Sequence, residues 1–223
     1  MPTTVDSISA DQIKDTVRRL IDNLVNIKDE TGEFLLRLDD GRVIDTKGWN
    51  DWEWTHGIGL YGIFKHWELS GDPAALDIML SWFRNRFAAG TPTKNVNTVA
   101  PFLTAAYLAE RTGDRSFLPY LDVWAEWIMR EMPRTEENGL QHIVFNSVNP
   151  QQIWDDTLMM CVLPLAKIGL LLDGPPISKK PYANSCCTRN ISPIARRGCG
   201  STAGPSRDAT ILRERGGRAV MLG

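Results

Sequence analysis

The sequence predicts an all-α fold built as a ring of antiparallel helical hairpins, with three hairpins present and small β-hairpins in the long loops, about half of such a toroid. Three observations carry this reading. Six segments place apolar residues at helical spacing. Their connections alternate long, short, long, short, long, so in a ring of hairpins the long connections gather on one face and the tight turns on the other. A weak internal repeat supports the same plan: Asp72 and Asp114 mark equivalent tight turns, and Asp173 stands where a third is due. Seventeen residues before each lie Thr55, Asn97 and Asp156, each opening an inner helix on the rim formed by the long loops.

In chain order, Ser9 with Gln12 reads as a capping box opening a helix to about Ile27, with Ile13, Val17, Leu20, Ile21 and Leu24 on one face. Residues 29–51 form a long connection containing an extended piece at 33–38, a turn at Asp39-Asp40-Gly41 and a second short strand at Val43-Ile44. The second helix runs from about His56 to Leu69. Ser70-Gly71-Asp72-Pro73 then stops it and starts the third, with Asp72 as N-cap and Pro73 at the first helical position, and Leu76, Met79, Leu80 and Phe83 inside. Residues 88–95 are the second long connection. A helix from Val96 to Glu110, a tight turn at Thr112-Gly113-Asp114 and a helix from about Arg115 to Met132 follow. Residues 133–150 are the third long connection, strand-like at His142 to Phe145, and the sixth helix runs from Gln152 to about Leu172.

With 43% hydrophobic and 23% charged residues, the 223-residue chain has an ordinary globular composition. Its net charge of −2, with no basic stripe before residue 178, excludes nucleic acid as a partner. No run of about 18 apolar residues occurs and the N-terminal residues lack a signal-like pattern, so the expectation is a cytoplasmic protein that does not engage a membrane. Only Cys161 of four cysteines lies in the patterned part, which argues against a disulfide framework. All eight tryptophans fall between Trp49 and Trp154, expected both to pack the core and to line a cleft.

The stretch QQIWDDTLMM, residues 151–160, is where chemistry concentrates. Two adjacent acids stand at the mouth of an apolar helix. Either may simply cap that helix and complement its dipole. The indole of Trp154, two residues before Asp156, adds the other reading: an apolar platform for a sugar ring beside a proton donor. The motif WEWTHG at residues 52–57 brings Trp52, Trp54 and His56 to the same rim. Helix N-termini directed into a cleft suit an anionic ligand such as a uronate.

Three segments, DWEWTHGIGLYGIFKHWELSGD, KNVNTVAPFLTAAYL and QQIWDDTLMM, together resemble the unsaturated rhamnogalacturonyl hydrolases, the glycoside hydrolases of family 105, related to the family 88 unsaturated glucuronyl hydrolases. The resemblance covers about residues 10–172. It implies an (α/α)6 barrel, a pectin-derived oligosaccharide substrate with an unsaturated uronic acid at its non-reducing end, and neither metal nor cofactor. Trp154 and Asp156 match the first and third places of the family's Trp-any-Asp pattern, so Asp156 inherits the general acid role. As implied, Asp156 protonates C4 of the C4=C5 double bond and then, as carboxylate, helps water add at C5; the hemiketal collapses and expels the neighbouring sugar. His142 is a hydrogen-bonding candidate for that sugar, with a structural role as the alternative, and His66 is read as structural. The family's second acid falls near Asn97, where this chain carries an amide. The implied hydrolase activity is expected to be impaired in this truncated chain, and the alternative function is a non-catalytic carbohydrate-binding remnant or an unstable pseudogene product.

After Leu172 the text changes. Residues 174–223 lack periodicity, Trp and His, and nine Lys or Arg face two acids. Cys186, Cys187 and Cys199 have no zinc-site spacing. The expectation is a partial glycoside hydrolase domain at 1–173 and a non-homologous basic tail at 174–223, translated in a shifted frame or disordered. Stopping after three hairpins also leaves apolar flanks open, near residues 10–27 and 152–172, and so points to self-association.

Overall fold

The computed structural model describes residues 8–172, in two compact units that divide after Thr93. The first unit holds α1 (Ala10–Asn26), the strands β1 (Leu35–Arg37) and β2 (Val43–Asp45), α2 (Trp54–Ser70) and α3 (Pro73–Ala89). The second holds α4 (Val96–Val99), α5 (Phe102–Thr112), a 3-10 turn (Arg115–Phe117), α6 (Leu118–Arg130), a π-helical stretch (Leu158–Val162) and α7 (Leu163–Leu171). The basic tail and its cysteines lie outside the described residues.

In the first unit the Ser9–Gln12 capping box forms as expected at the head of α1. β1 and β2 pair antiparallel with Leu36 opposite Ile44. α2 and α3 form the core hairpin, burying Leu60, Ile63, Phe64, Met79, Trp82 and Phe83. Against it, α1 contributes no buried residue. Leu24 lies over Gly59 of α2, where a Cβ would come within 2.6 Å of the leucine Cδ2.

The internal repeat is visible atom by atom in the two tight turns. Gly71 and Gly113 each close a helix in the left-handed region, at φ 70° and 72°, where any side chain would be strained. Before them, Ser70 and Thr112 donate their hydroxyls to the carbonyls four residues back, at 2.7 and 2.6 Å. After them, Asp72 and Asp114 donate their N–H to those same hydroxyls, both at 3.2 Å. Each aspartate then caps the following helix, accepting from Ala74 N–H at 3.0 Å and Ser116 N–H at 2.9 Å.

The second unit departs from expectation in three places, each with a local cause. The helix expected over Val96 to Glu110 breaks after Val99, because Pro101 has no N–H to give and its ring obstructs the preceding turn. The strand-like segment 142–145 forms no ladder: Arg134 with Leu140 and Val144 with Ser147 make isolated bridges. The sixth helix does not start at Gln152. Helical geometry begins at Asp156 and passes through the π stretch before α7. The core is Val96, Phe102, Leu103, Leu108, Leu121, Trp124, Ile128, Cys161 and Ile168, all at most 1% exposed. Phe102 and Trp124 pack with ring centroids 4.6 Å apart. Lys167, buried on α7, is neutralised by Glu110 at 2.5 Å and covers the Tyr107 ring.

Candidate active site

In the second unit α4 packs on the π stretch and α5 on α7, so Asn97 and Asp156, which open these two inner runs, stand at the end away from the Gly113 turn. Asn95 accepts from the N–H groups of Asn97 and Thr98 through one oxygen, at 2.9 and 3.2 Å, and fixes the mouth of α4. The N–H of Val96 donates to Ile143 O at 3.0 Å, while Cys161 Sγ lies 3.8 Å from Val96 O. These contacts tie α4, the third long loop and the π stretch into one cluster.

Glutamines stitch the long loop. Gln141 Nε2 donates to Val148 O at 2.6 Å, Gln151 Oε1 accepts from Glu136 N–H at 2.8 Å, and Gln152 Oε1 accepts from the Trp154 indole at 2.9 Å. Gln151 is held at φ 59°, a strained conformation for a long side chain. His142 is buried, its N–H donates to Gln152 O at 2.8 Å, and its imidazole stacks on Trp154 with centroids 4.1 Å apart and planes at 5°. One indole face is therefore covered, leaving only the other for a sugar.

Asp156 stands beside this stack. Its Oδ1 lies 3.3 Å from His142 Nδ1 and 3.5 Å from Thr157 Oγ1, and its side chain is 35% exposed. Asp155 is more exposed and joins no such group. The capping role left open for these acids is not what the side chain of Asp156 does: its contacts are His142 and Thr157. Burial, and after it the Asp156 carboxylate nearby, push the Cys161 thiol far above its usual range. Thr157 is a member of the cluster that the sequence reading missed; the QQIWDDTLMM stretch contains it, but only the geometry distinguishes it.

The first unit sorts its three candidates differently. Trp52 is 3% exposed and packs on Trp82, Phe83 and Phe87, so its ring belongs to the core rather than to a ligand. His56 is equally buried. Its Nδ1 accepts from Glu53 N–H at 3.2 Å and its Nε2 donates to Gly48 O at 2.8 Å, leaving neither nitrogen for a sugar. Burial lowers its pKa, against smaller opposing effects from the Gly48 hydrogen bond and nearby acids. Trp54 alone of the three is open, at 41%, on a cleft of about 320 Å³ shared with Leu24, Ile27, Phe34, Lys47 and Thr55. Four tryptophans of the eight, Trp52, Trp82, Trp124 and Trp127, are buried core. Among the described residues no group of acids, histidines and cysteines is arranged to hold a metal ion.

The profile of Glycosyl Hydrolase Family 88 matches residues 26–183. The chain belongs to that family. The match runs on past Leu172, into the stretch read from sequence as a non-homologous tail. Over 124 residues, 55% of this chain and 36% of the relative, it is 31% identical to the unsaturated rhamnogalacturonyl hydrolase YesR of Bacillus subtilis strain 168. Two solved structures, each described as a possible member of the GH105 family, are similar in fold. One, from Salmonella enterica serovar Paratyphi A, is 54% identical with a TM-score of 0.79, covering 86% of this chain and 50% of that one. The other, from Klebsiella pneumoniae MGH 78578, is 53% identical with a TM-score of 0.78, covering 87% and 49%. The chain thus spans between about a third and a half of the length of these relatives. An all-α fragment of the family 88/105 toroid with a small β-hairpin accounts for the elements seen.

Proposed function

We propose that this family 88 site releases an unsaturated uronic acid from pectin-derived, rhamnogalacturonan-type disaccharides by hydrating the C4=C5 double bond, with Asp156 as the acid. The observation that carries the reading is the placement of Asp156: a partly exposed carboxyl at the mouth of an apolar helix, one oxygen against His142 and Thr157, beside the His142–Trp154 stack. Proton transfer to C4 draws the electron pair of the double bond into a new C–H bond and leaves positive charge at C5, shared with the ring oxygen. Water adds there, its proton returns to Asp156, and the hemiketal opens to free the neighbouring sugar. One carboxyl serves both steps, unlike ordinary glycosidases, which place two about the bond. We assign Trp154 as the platform for the sugar and Asn97, in the same unit, as a further contact.

Loss of the ultraviolet absorbance of the conjugated double bond is the assay. Turnover is expected for the parent protein and a fall of at least about 10²-fold for Asp156→Asn; a variant as active as the parent would overturn the assignment. A second reading, sugar binding without turnover, draws on the amide at Asn97 and is recognised by a calorimetric binding signal with undiminished absorbance. The same reading includes self-association through the exposed apolar stripe of α1, where Ile13 and Leu20 are 53% and 63% exposed.

A further inference from the structure

We infer that Thr157 and His142 are positioning residues that anchor Oδ1 of Asp156, leaving Oδ2 as the oxygen that exchanges the reacting proton. This rests on Asp156 being the acid. His142 Nδ1, Thr157 Oγ1 and Asp156 Oδ1 form a triangle with sides of 3.2, 3.3 and 3.5 Å. Both contacts on the carboxyl end on Oδ1, and both come from residues almost wholly buried, His142 at 2% and Thr157 at 3% exposure. The imidazole cannot swing away, because its backbone is fixed to Gln152 and its ring lies flat on Trp154.

A carboxylate only accepts hydrogen bonds, an imidazole nitrogen accepts or donates according to tautomer, and a hydroxyl does both. One arrangement satisfies the triangle throughout a reaction in which Asp156 is first acid and then base. His142 Nδ1–H donates to Thr157 Oγ1, and the Thr157 hydroxyl donates to Asp156 Oδ1. That chain needs only a lone pair on Oδ1, which is present whether Oδ2 carries a proton or not. The O–H bond at Oδ2 breaks as the C–H bond forms on the sugar, and it forms again from the proton of the added water, with no partner of the carboxyl having to rearrange. The 3.5 Å side is long for a hydroxyl donor and is expected to shorten when substrate fills the site, as catalytic hydrogen bonds do. The π stretch, a local widening of the helix, begins at the next residue, Leu158.

The test is a tautomer measurement on the full chain labelled with ¹⁵N-histidine, joined to kinetics. His56 is an internal reference, since its Nδ1 accepts and its Nε2–H donates. His142, identified as the signal missing in His142→Gln, is expected in the opposite, Nδ1–H form. Finding it in the Nε2–H form overturns the inference. Thr157→Val is expected to lower kcat about 10–100-fold with KM changed less than about twofold, and Thr157→Ser to restore most of the loss. Wild-type kcat in Thr157→Val, or no recovery in Thr157→Ser, also overturns it. If the parent protein turns over no unsaturated uronide, the proposed function fails, while the tautomer of His142 still decides this inference.

Discussion

A buried imidazole stays neutral when both nitrogens bond to uncharged backbone groups, and His56 is held in that way between Glu53 and Gly48. Its lowered pKa means that the unfolded chain binds the proton more tightly than the folded one. Its contribution to stability is therefore complete above about pH 6.5, the ordinary histidine value, and is lost as pH falls from there through the lowered folded value. Urea unfolding from pH 8 down to 5 should show this loss, and His56→Gln should flatten it while costing about 1–3 kcal/mol at pH 8. Cys161 makes a second residue-scale prediction. Fully buried, with burial and then Asp156 opposing its thiolate, it should resist alkylation in the native protein and react only after unfolding, as peptide mass mapping would show. Neither environment is legible in the sequence: WEWTHG marks His56 as a rim residue, whereas the rim holds the histidine's backbone partners and the ring itself faces inward among Trp49 and Trp82.

At the scale of elements, the caps and turns were the most legible features, because their chemistry is local. Ser9 with Gln12, and Gly71-Asp72 and Gly113-Asp114, contain their own hydrogen-bond partners within a few residues. The features that escaped depend on distant packing or on a competing signal. Pro101 interrupts an apolar pattern that reads as one continuous helix, and the β-branched and aromatic run at His142 to Phe145 mimics a strand although its partners are Gln152, Val96 and Ser147 rather than a neighbouring strand. The site itself was half legible: the sequence points to Trp154 and Asp156, but the stack of His142 on the indole joins residues twelve positions apart through a loop with no regular period. Asn95 tests the elemental scale directly. Buried, and serving two N–H groups at the mouth of α4, it should cost about 1–2 kcal/mol when replaced by Ala, as read from denaturant midpoints.

At the scale of the whole molecule, each unit buries part of its aromatic residues in a core, yet α1 keeps an amphipathic pattern that the described residues cover only in part, with Leu24 over Gly59 while Ile13 and Leu20 stay exposed. Ile13, Val17, Leu20, Ile21 and Leu24 recur at helical spacing, and none is buried. A helix of this kind owes its stability to the surface it covers, because propensity alone is marginal at 17 residues. Each large apolar side chain left in water forgoes about 1.5–3 kcal/mol, so a handful on one stripe rivals the net stability of a domain, about 5–15 kcal/mol. Association through that stripe recovers part of the difference, and it does so more strongly as protein concentration rises. Sedimentation should therefore show concentration-dependent self-association, and the double variant Ile13→Glu with Leu20→Glu should abolish it. Because these two side chains contribute nothing to either buried core, the variant should keep the tertiary signal of the tryptophans and lose only the association; a variant that still associates to the same extent would place the contact surface elsewhere than on α1.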